Sequence, residues 1–186
     1  CRLVEKKGMD ELLAALARLP AGLRWQLVHA GGGPLKANLQ RKAEKLNIEK
    51  HILWRGALAQ EELLAEYRAA DLFALASVVA RDGDRDGLHN VLMEAQSQGL
   101  ACVATSVSAI PELIDDGSSG MLVRENDAEA LARSLEALIR DPARRRALGE
   151  AGLARVRRDF ALEANLERLA QKFGLPRDAG RLLRTA

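Results

Sequence analysis

Helical patterns and short apolar runs alternate along the 186-residue chain, and this alternation restricts its fold more than any other feature. The apolar runs lie at residues 25–30, 51–54, 71–76, 101–105 and 121–123. The other segments predict helices at residues 9–18, 35–46, 60–69, 90–99, 109–116, 127–140, 143–158 and 161–173. Continuous apolar runs of this length are typical of parallel strands buried on both faces. The sequence therefore predicts an α/β fold in which a parallel sheet carries helices on both faces.

The composition argues against several classes of function. Hydrophobic residues make up 48% of the chain, enough for a buried core, while a net charge of +2 and an aromatic content of 3% argue against a nucleic-acid partner. No apolar run approaches the roughly 20 residues of a membrane-spanning helix. The spacing of Cys1 and Cys102 fits no metal site, and the simpler interpretation is a reducing compartment. No signal-peptide pattern is present, so we expect a cytoplasmic location.

The segment that begins at Asp86 gives the strongest indication of a ligand site. Gly87 permits the backbone to approach a ligand closely, and the free amides near His89 and Asn90, where a helix is predicted to start, favour an anion such as a phosphate. The carboxylates of Asp86 and Glu94 would be repelled by that anion, so neutral hydroxyl groups are their natural partners. A sugar attached to a diphosphate satisfies both requirements.

Several further motifs accompany this segment in one order along the chain. They are Arg2-Leu3-Val4-Glu5-Lys6-Lys7-Gly8, Gly31-Gly32-Gly33-Pro34, Tyr67 with Ala70-Asp71, the run from Asp86 to Ala95, Gly99, Ile110-Pro111-Glu112-Leu113-Ile114, Asp116-Gly117 and Gly120-Met121-Leu122-Val123. Through these motifs, residues 2–160 resemble the C-terminal, donor-binding half of the GT-B glycosyltransferases, specifically the retaining family 4. The resemblance implies a Rossmann-like domain whose first strand, expected ahead of Arg2, is truncated.

The resemblance also implies roles for four charged residues. Arg2 and Lys7 match the basic pair that binds the donor pyrophosphate, where two cations would stabilise the departing nucleoside diphosphate without a metal. Glu94 matches the position that binds the ribose hydroxyls, and Asp86 matches the one that contacts the transferred sugar. The family usually has glutamate at the position of Asp86, and a proline is common at the position of His89.

The other expected contacts involve mainly the backbone. Where the helix at residues 90–99 is predicted to start, backbone amides would face the phosphate and the sugar. These amides belong to Gly87, Leu88, His89 and Asn90. Gly32, in the glycine-rich loop after the first predicted strand, would give the donor a backbone contact. Arg55 follows the next strand and is placed to meet the edge of the base, although an ordinary turn explains it equally well.

Two other ligand motifs fail on spacing. The run from Asp82 to Gly87 resembles the opening of a calcium-binding loop, but the required glutamate would fall on Met93. The Gly31–Gly33 run suggests a dinucleotide-binding fingerprint, but no third glycine follows at the required spacing and no acidic residue closes the next strand. We therefore expect no metal and no cofactor, with a nucleoside diphosphate sugar as the donor substrate, and we interpret Asp82 and Asp84 as part of a solvated loop.

The domain organisation and the partners follow from these assignments. Residues 1–160 are predicted to form the nucleotide-sugar-binding domain, and residues 161–186 a C-terminal helix with a basic tail. An acceptor-binding N-terminal domain is missing from this chain, so the chain alone is expected to be inactive. Arginine clusters at residues 144–146 and 155–158 are interpreted as a solvated helix face, with contact to an anionic inner-membrane surface as the alternative.

Three functions stay open at the level of the sequence. The first is the donor-binding half of a retaining glycosyltransferase that moves a sugar to an acceptor hydroxyl. The second is a noncatalytic nucleotide-sugar-binding subunit that requires a partner chain. The third is a sugar-nucleotide epimerase or a phosphorylase with the GT-B architecture. The base, the sugar, the acceptor and the oligomeric state do not follow from the sequence.

Overall fold

The computed structural model describes residues 1–174, in which strands and helices alternate as the sequence predicts. The strands are Leu27–Ala30 (β1), Ile52–Gly56 (β2), Leu72–Leu75 (β3), Ala101–Thr105 (β4) and Met121–Val123 (β5). The α-helices are Met9–Leu16 (α1), Lys36–Lys45 (α2), Gln60–Ala69 (α3), Asn90–Ser97 (α4), Ile110–Leu113 (α5), Ala128–Arg140 (α6), Pro142–Asp159 (α7) and Leu162–Lys172 (α8). The basic tail that the sequence suggested at residues 175–186 lies outside the described residues.

The strands pair in parallel, which confirms the predicted α/β class, but they lie in two sheets rather than in one. Strand β1 pairs with β2, while β3, β4 and β5 form a separate sheet in that order. Within the described part of the chain, β1 and β3 therefore each keep one edge without a paired strand. Both strands line the same groove, whose volume is about 570 Å³. The groove lies between the two sheets, and the backbone nitrogen of Cys1 borders it, donating a hydrogen bond of 2.5 Å to the carbonyl of Ala30 at the end of β1.

Strand β4 is the centre of the larger sheet. All five of its residues, Ala101–Thr105, are buried, and α7 packs against this strand and against α4. The approach of α7 is close because it carries a glycine: a Cβ built on Gly149 would lie 2.0 Å from the carbonyl oxygen of Gly99. Helix α1 packs against α6 on the same core through residues such as Leu13 and Leu135. The helices thus cover the sheets from more than one side, as expected for buried parallel strands.

Local signals set the ends of the helices near the C-terminus of the fold. The side chain of Asp127 accepts a hydrogen bond from the amide of Ala130 and caps α6, and Asp141 does the same for the amide of Arg144 in α7. Helix α5 is shorter than the predicted 109–116, because Ile114 is already extended and a turn follows it. The predicted helix at 161–173 is confirmed as α8.

The segment ahead of α1 is fixed by one glycine. Glu5–Lys7 form a single 3₁₀ turn, and Gly8 then adopts a left-handed conformation with φ of 60°. A Cβ at Gly8 would lie 1.6 Å from the carbonyl oxygen of Ala76, directly after β3. Only glycine fits this contact, and the contact holds Lys7 beside the carboxyl end of the larger sheet.

The boundary between the predicted domain and the C-terminal helix stays a prediction. Helix α7 ends at Asp159, α8 begins at Leu162, and the two helices are in contact. Among the described residues, none of the helices combines the length and the apolar character needed to cross a membrane.

Candidate functional site

The first residues of the chain meet the loop that follows β1. The amide of Leu3 donates a hydrogen bond of 2.8 Å to the carbonyl of Gly32, and the amide of Leu35 donates one of 3.2 Å to the carbonyl of Leu3. A Cβ at Gly31 would lie 1.9 Å from the carbonyl oxygen of Cys1. Loops at the carboxyl ends of parallel strands line the ligand crevice of open α/β sheets. Arg2 and Gly32 therefore lie together at this edge.

A cluster of opposite charges lies at the same edge. The Nζ of Lys7 is 2.5 Å from Asp86 Oδ2, and the Nζ of Lys6 is 3.1 Å from Asp86 Oδ1. Lys6 also contacts Asp84 at 3.0 Å. Burial acts to raise the pKa of Asp86, but hydrogen bonding to Lys7 and Lys6 prevails and lowers it. Asp86 is thus held as a carboxylate between two cations. Asp82 and Asp84 are exposed, as expected for a solvated loop, although Asp84 also pairs with Lys6.

A buried polar pair lies beneath Asp86. His89 is 3% exposed, and its Nε2 is 2.8 Å from Ser77 Oγ and 3.3 Å from Asp86 Oδ2. Ser77 follows β3, and Thr105 at the end of β4 donates a hydrogen bond to the Ser77 carbonyl. Burial, and then the nearby charge of Lys7, lowers the pKa of His89, so the imidazole is neutral near pH 7.

Glu94 lies one helical turn inside α4 and faces the same region. Its carboxylate accepts a hydrogen bond of 3.2 Å from the hydroxyl of Tyr67 in α3. Burial, together with the charge of Glu94, raises the pKa of Tyr67, which keeps this hydroxyl protonated and donating. Lys7 and Glu94 act electrostatically on the backbone nitrogen of Cys1 in opposite directions. Glu94 and Lys7 are therefore both within electrostatic reach of Cys1.

The start of α4 leaves its backbone accessible. His89 precedes the helix with extended backbone angles, and its side chain makes no capping hydrogen bond. The first amides of a helix have no partner within it, so those of Asn90 and Val91 can meet a ligand, whereas the amide of Leu92 already donates to the carbonyl of His89. A Cβ at Gly87 or at Gly32 would meet nothing within 4 Å, which leaves both positions open to an incoming molecule. Leu88 is half-buried against the apolar cluster around α4.

Two of the expected site residues are not drawn into the cluster. Arg55 forms an ion pair of 2.9 Å with Glu66 in α3, so its guanidinium already has a partner. Arg2 is exposed, and within residues 1–174 no ion pair holds its side chain. The structure thus brings together Lys7, Asp86 and Glu94, while Arg2 is placed near them through its backbone only.

Three contributors were not recognised from the sequence as parts of the site. Lys6 was only one letter of a motif, Ser77 only the residue after an apolar run, and Tyr67 only a motif residue without a role. A hydroxyl at the carboxyl end of a buried strand is a usable signal for Ser77, since such positions meet the crevice. No sequence signal marks the contacts between Tyr67 and Glu94. In the described part of the chain, no three His, Cys, Asp or Glu side chains gather so that they could hold a metal ion.

Residues 1–155 match the protein family described as glycosyl transferases group 1. The chain belongs to this family. A curated relative, the GDP-mannose-dependent alpha-(1-6)-phosphatidylinositol monomannoside mannosyltransferase of Mycolicibacterium smegmatis, is 36% identical over 81% of this chain and 40% of its own length. The amylovoran biosynthesis glycosyltransferase AmsK of Erwinia amylovora is 38% identical over 72% of this chain and 33% of its own length. The chain thus spans less than half the length of these relatives.

The fold agrees with that of solved structures. The structure of Anabaena Alr3699/HepE in complex with UDP superposes with a TM-score of 0.81 at 23% identity, covering 94% of this chain and 47% of that one. The family match and the similarity of the fold confirm two predictions for this chain, the resemblance to the GT-B glycosyltransferases and the Rossmann-like fold. Its assignment to family 4 stays a prediction, as do the roles of the individual site residues.

Proposed function

We propose that this chain is the donor-binding half of a retaining glycosyltransferase, which transfers a sugar from a nucleoside diphosphate to an acceptor hydroxyl. The observation that carries the proposal is the meeting of Lys7, Asp86 and the start of α4 at one edge of the sheets. A cation and free helix amides suit a diphosphate, and a carboxylate suits sugar hydroxyls. Glu94 lies at the same edge and binds the ribose hydroxyls in this scheme.

The chemistry follows from the charge that develops on the leaving group. As the bond between the sugar and the diphosphate breaks, negative charge grows on the diphosphate, and Lys7 and Arg2 stabilise it through charge-assisted hydrogen bonds. No metal or other cofactor is needed in this scheme, because two cations neutralise the charge of two phosphates. The Asp86 carboxylate accepts hydrogen bonds from the sugar and fixes its orientation during transfer.

The donor is drawn from the class of nucleoside diphosphate sugars. A relative from Mycolicibacterium smegmatis depends on GDP-mannose, and the structurally similar Anabaena HepE binds UDP. Both ligands share the diphosphate and the ribose, which are the parts that Lys7 and Glu94 meet in this proposal. The product belongs to polysaccharide or glycolipid biosynthesis; the Erwinia relative is named for amylovoran biosynthesis and the Mycolicibacterium relative as a phosphatidylinositol monomannoside mannosyltransferase.

The acceptor site belongs to an N-terminal domain that precedes this chain in a longer polypeptide. The groove between the open edges of β1 and β3 is the place for the strand that the resemblance predicts ahead of Arg2, since an inserted parallel strand would satisfy the backbone groups of both edges. Without the acceptor domain, the cleft that excludes water and orients the acceptor is open. The chain alone therefore binds donor and transfers little or none of its sugar.

A cytoplasmic location with contact to the inner membrane surface completes the proposal. Three of the six arginines in the basic clusters make contacts within the fold. Arg145 pairs with Asp71 at 2.9 Å, Arg155 donates to the carbonyl of Glu112, and Arg158 pairs with Asp159. Arg144, Arg146 and Arg157 are exposed on α7 and are the residues that would meet anionic lipid.

The test is an assay of the full-length polypeptide with UDP-glucose and with GDP-mannose. We expect release of the nucleoside diphosphate together with a new glycoside when acceptor is present. Release of an epimer or of a sugar phosphate would identify an epimerase or a phosphorylase instead. Tight donor binding without any turnover would identify a noncatalytic binding subunit.

A further inference from the structure

Asp86 contacts Lys6 and His89 as well as Lys7. These additional contacts suggest that Asp86 can give up Lys7 when a donor binds. We propose that Lys6 and His89 are positioning residues that keep Asp86 in place for the sugar while Lys7 turns to the diphosphate. The inference rests on the proposed function, because it concerns how the same site admits its donor. It assigns a role to two residues that make no contact with the phosphates themselves.

The ion pair of Lys7 creates the need for such residues. Lys7 Nζ lies 2.5 Å from Asp86 Oδ2, so a diphosphate that binds Lys7 competes directly with Asp86. If Lys7 were the sole partner, its departure would leave a partly buried carboxylate next to a new anion. That carboxylate would be repelled from the sugar-binding position or would hold Lys7 back from the diphosphate.

Lys6 supplies the remaining positive charge. Its Nζ lies 3.1 Å from Asp86 Oδ1, the oxygen that Lys7 does not contact, and its side chain is only 14% exposed. Asp84, at 3.0 Å from the same Nζ, fixes the ammonium group from the other side. Lys6 therefore remains on Asp86 after Lys7 has moved, and the carboxylate keeps both its charge and its direction.

His89 holds the other oxygen. A hydrogen on Nε2 can be shared between Asp86 Oδ2 and Ser77 Oγ, at 3.3 and 2.8 Å, whereas the alternative tautomer would turn a lone pair toward the carboxylate. Nε2 is therefore the ring nitrogen that lies within contact distance of Asp86.

The position of His89 also keeps the helix amides available. Side chains at a helix start commonly accept hydrogen bonds from the first amides. His89 occupies this position without such a bond, since its ring is directed to Ser77 and Asp86. One residue thus steadies the carboxylate while it leaves the amides of α4 to the phosphate.

The experiment compares ligands with and without the sugar. Calorimetric titration of UDP, GDP, UDP-glucose and GDP-mannose is carried out on the wild type and on Lys6→Met and His89→Leu. We expect both variants to bind the preferred diphosphate within about twofold of the wild type, and its sugar conjugate about tenfold more weakly, the loss of a charge-assisted contact. Lys6→Arg and His89→Gln retain the donor group and should retain most of the sugar contribution.

A double-mutant cycle with Asp86→Asn tests the route of action. If Lys6 acts through Asp86, the cost of Lys6→Met on sugar binding disappears in the Asp86→Asn background. Equal weakening of the diphosphate and its conjugate, no weakening of either, or additive effects in the cycle would overturn the inference. A wild type that binds no nucleoside diphosphate would overturn the proposed function and this inference with it, whereas normal wild-type binding with unaffected variants overturns the inference alone.

Discussion

Lys7 and Asp86 form an ion pair of 2.5 Å that joins the segment ahead of α1 to the segment ahead of α4. The ion pair brings the cation that is expected to bind a phosphate into direct contact with the carboxylate that is expected to bind a sugar. A single small molecule can then meet both groups, with its charged part on one and its hydroxyls on the other. The two groups thus lie in direct contact, and Lys7 must leave Asp86 to reach a diphosphate.

Replacing Lys7 by methionine should reduce turnover more than donor affinity. The contact of Lys7 with the diphosphate strengthens as negative charge develops on the leaving group, so its loss raises the barrier of the chemical step. We expect kcat of the full-length polypeptide to fall about 100-fold, with KM changed by only a few fold. Steady-state kinetics on the donor test this; an increase of KM at unchanged kcat would contradict it.

Two glycines of the site should be dispensable for folding and necessary for binding. Gly32→Ala and Gly87→Ala add a methyl group where nothing lies within 4 Å, so the free energy of unfolding should change by less than about 1 kcal/mol. A ligand that approaches the backbone at these positions would meet the methyl group, and nucleoside diphosphate affinity should fall. Gly22→Ala is the matched control, since its surroundings are equally empty. Unchanged affinity in both site variants would contradict the placement of the ligand.

Gly149→Ala should destabilise the protein although alanine is the better helix former. The added Cβ would lie 2.0 Å from the carbonyl oxygen of Gly99, which forces α7 away from β4. Overpacking of this kind costs about 1–3 kcal/mol, more than the roughly 1 kcal/mol that the higher helix propensity of alanine contributes. Urea unfolding of the variant checks the sign, and a gain in stability would show that α7 does not pack so closely.

Stability should fall as the pH is lowered, and His29 should contribute to the fall. Burial lowers the pKa of His29 to about 4 from the ordinary value of 6.5. Between these values the unfolded chain binds a proton that the native protein does not, so the free energy of unfolding decreases with decreasing pH, by up to about 1 kcal/mol per pH unit. Urea unfolding between about pH 7 and pH 5 measures this slope. His29→Gln should flatten the curve, and an identical slope in the variant would contradict the assignment.

The sequence predicted the order of the elements and the edge at which the site lies. Both follow from local patterns: apolar runs mark buried strands, and the carboxyl ends of parallel strands meet at one edge whatever the details of packing. The meeting of Lys7 with Asp86 is a consequence of that rule, because one follows the expected first strand and the other follows β3.

The remaining features depend on packing that no local pattern records. Arg55 turns to Glu66 because α3 brings that carboxylate within 2.9 Å, a distance set by how the helix crosses the sheet. The contact of His89 with Ser77 likewise depends on the rotamer of a buried ring. The separation of the sheets between β1 and β3 depends on the pairing partners available in residues 1–174, which composition and periodicity do not reveal.

The most direct test of the account is calorimetric titration of nucleoside diphosphates into the wild-type chain and into Glu94→Ala. The account predicts that UDP or GDP binds with one-to-one stoichiometry and that Glu94→Ala weakens this binding at least about tenfold, since ribose hydroxyls lose a charged acceptor. Tyr67→Phe, which removes the hydroxyl that holds Glu94, should give a smaller loss in the same direction. Absence of binding to every nucleoside diphosphate, or wild-type affinity in Glu94→Ala, would contradict the account.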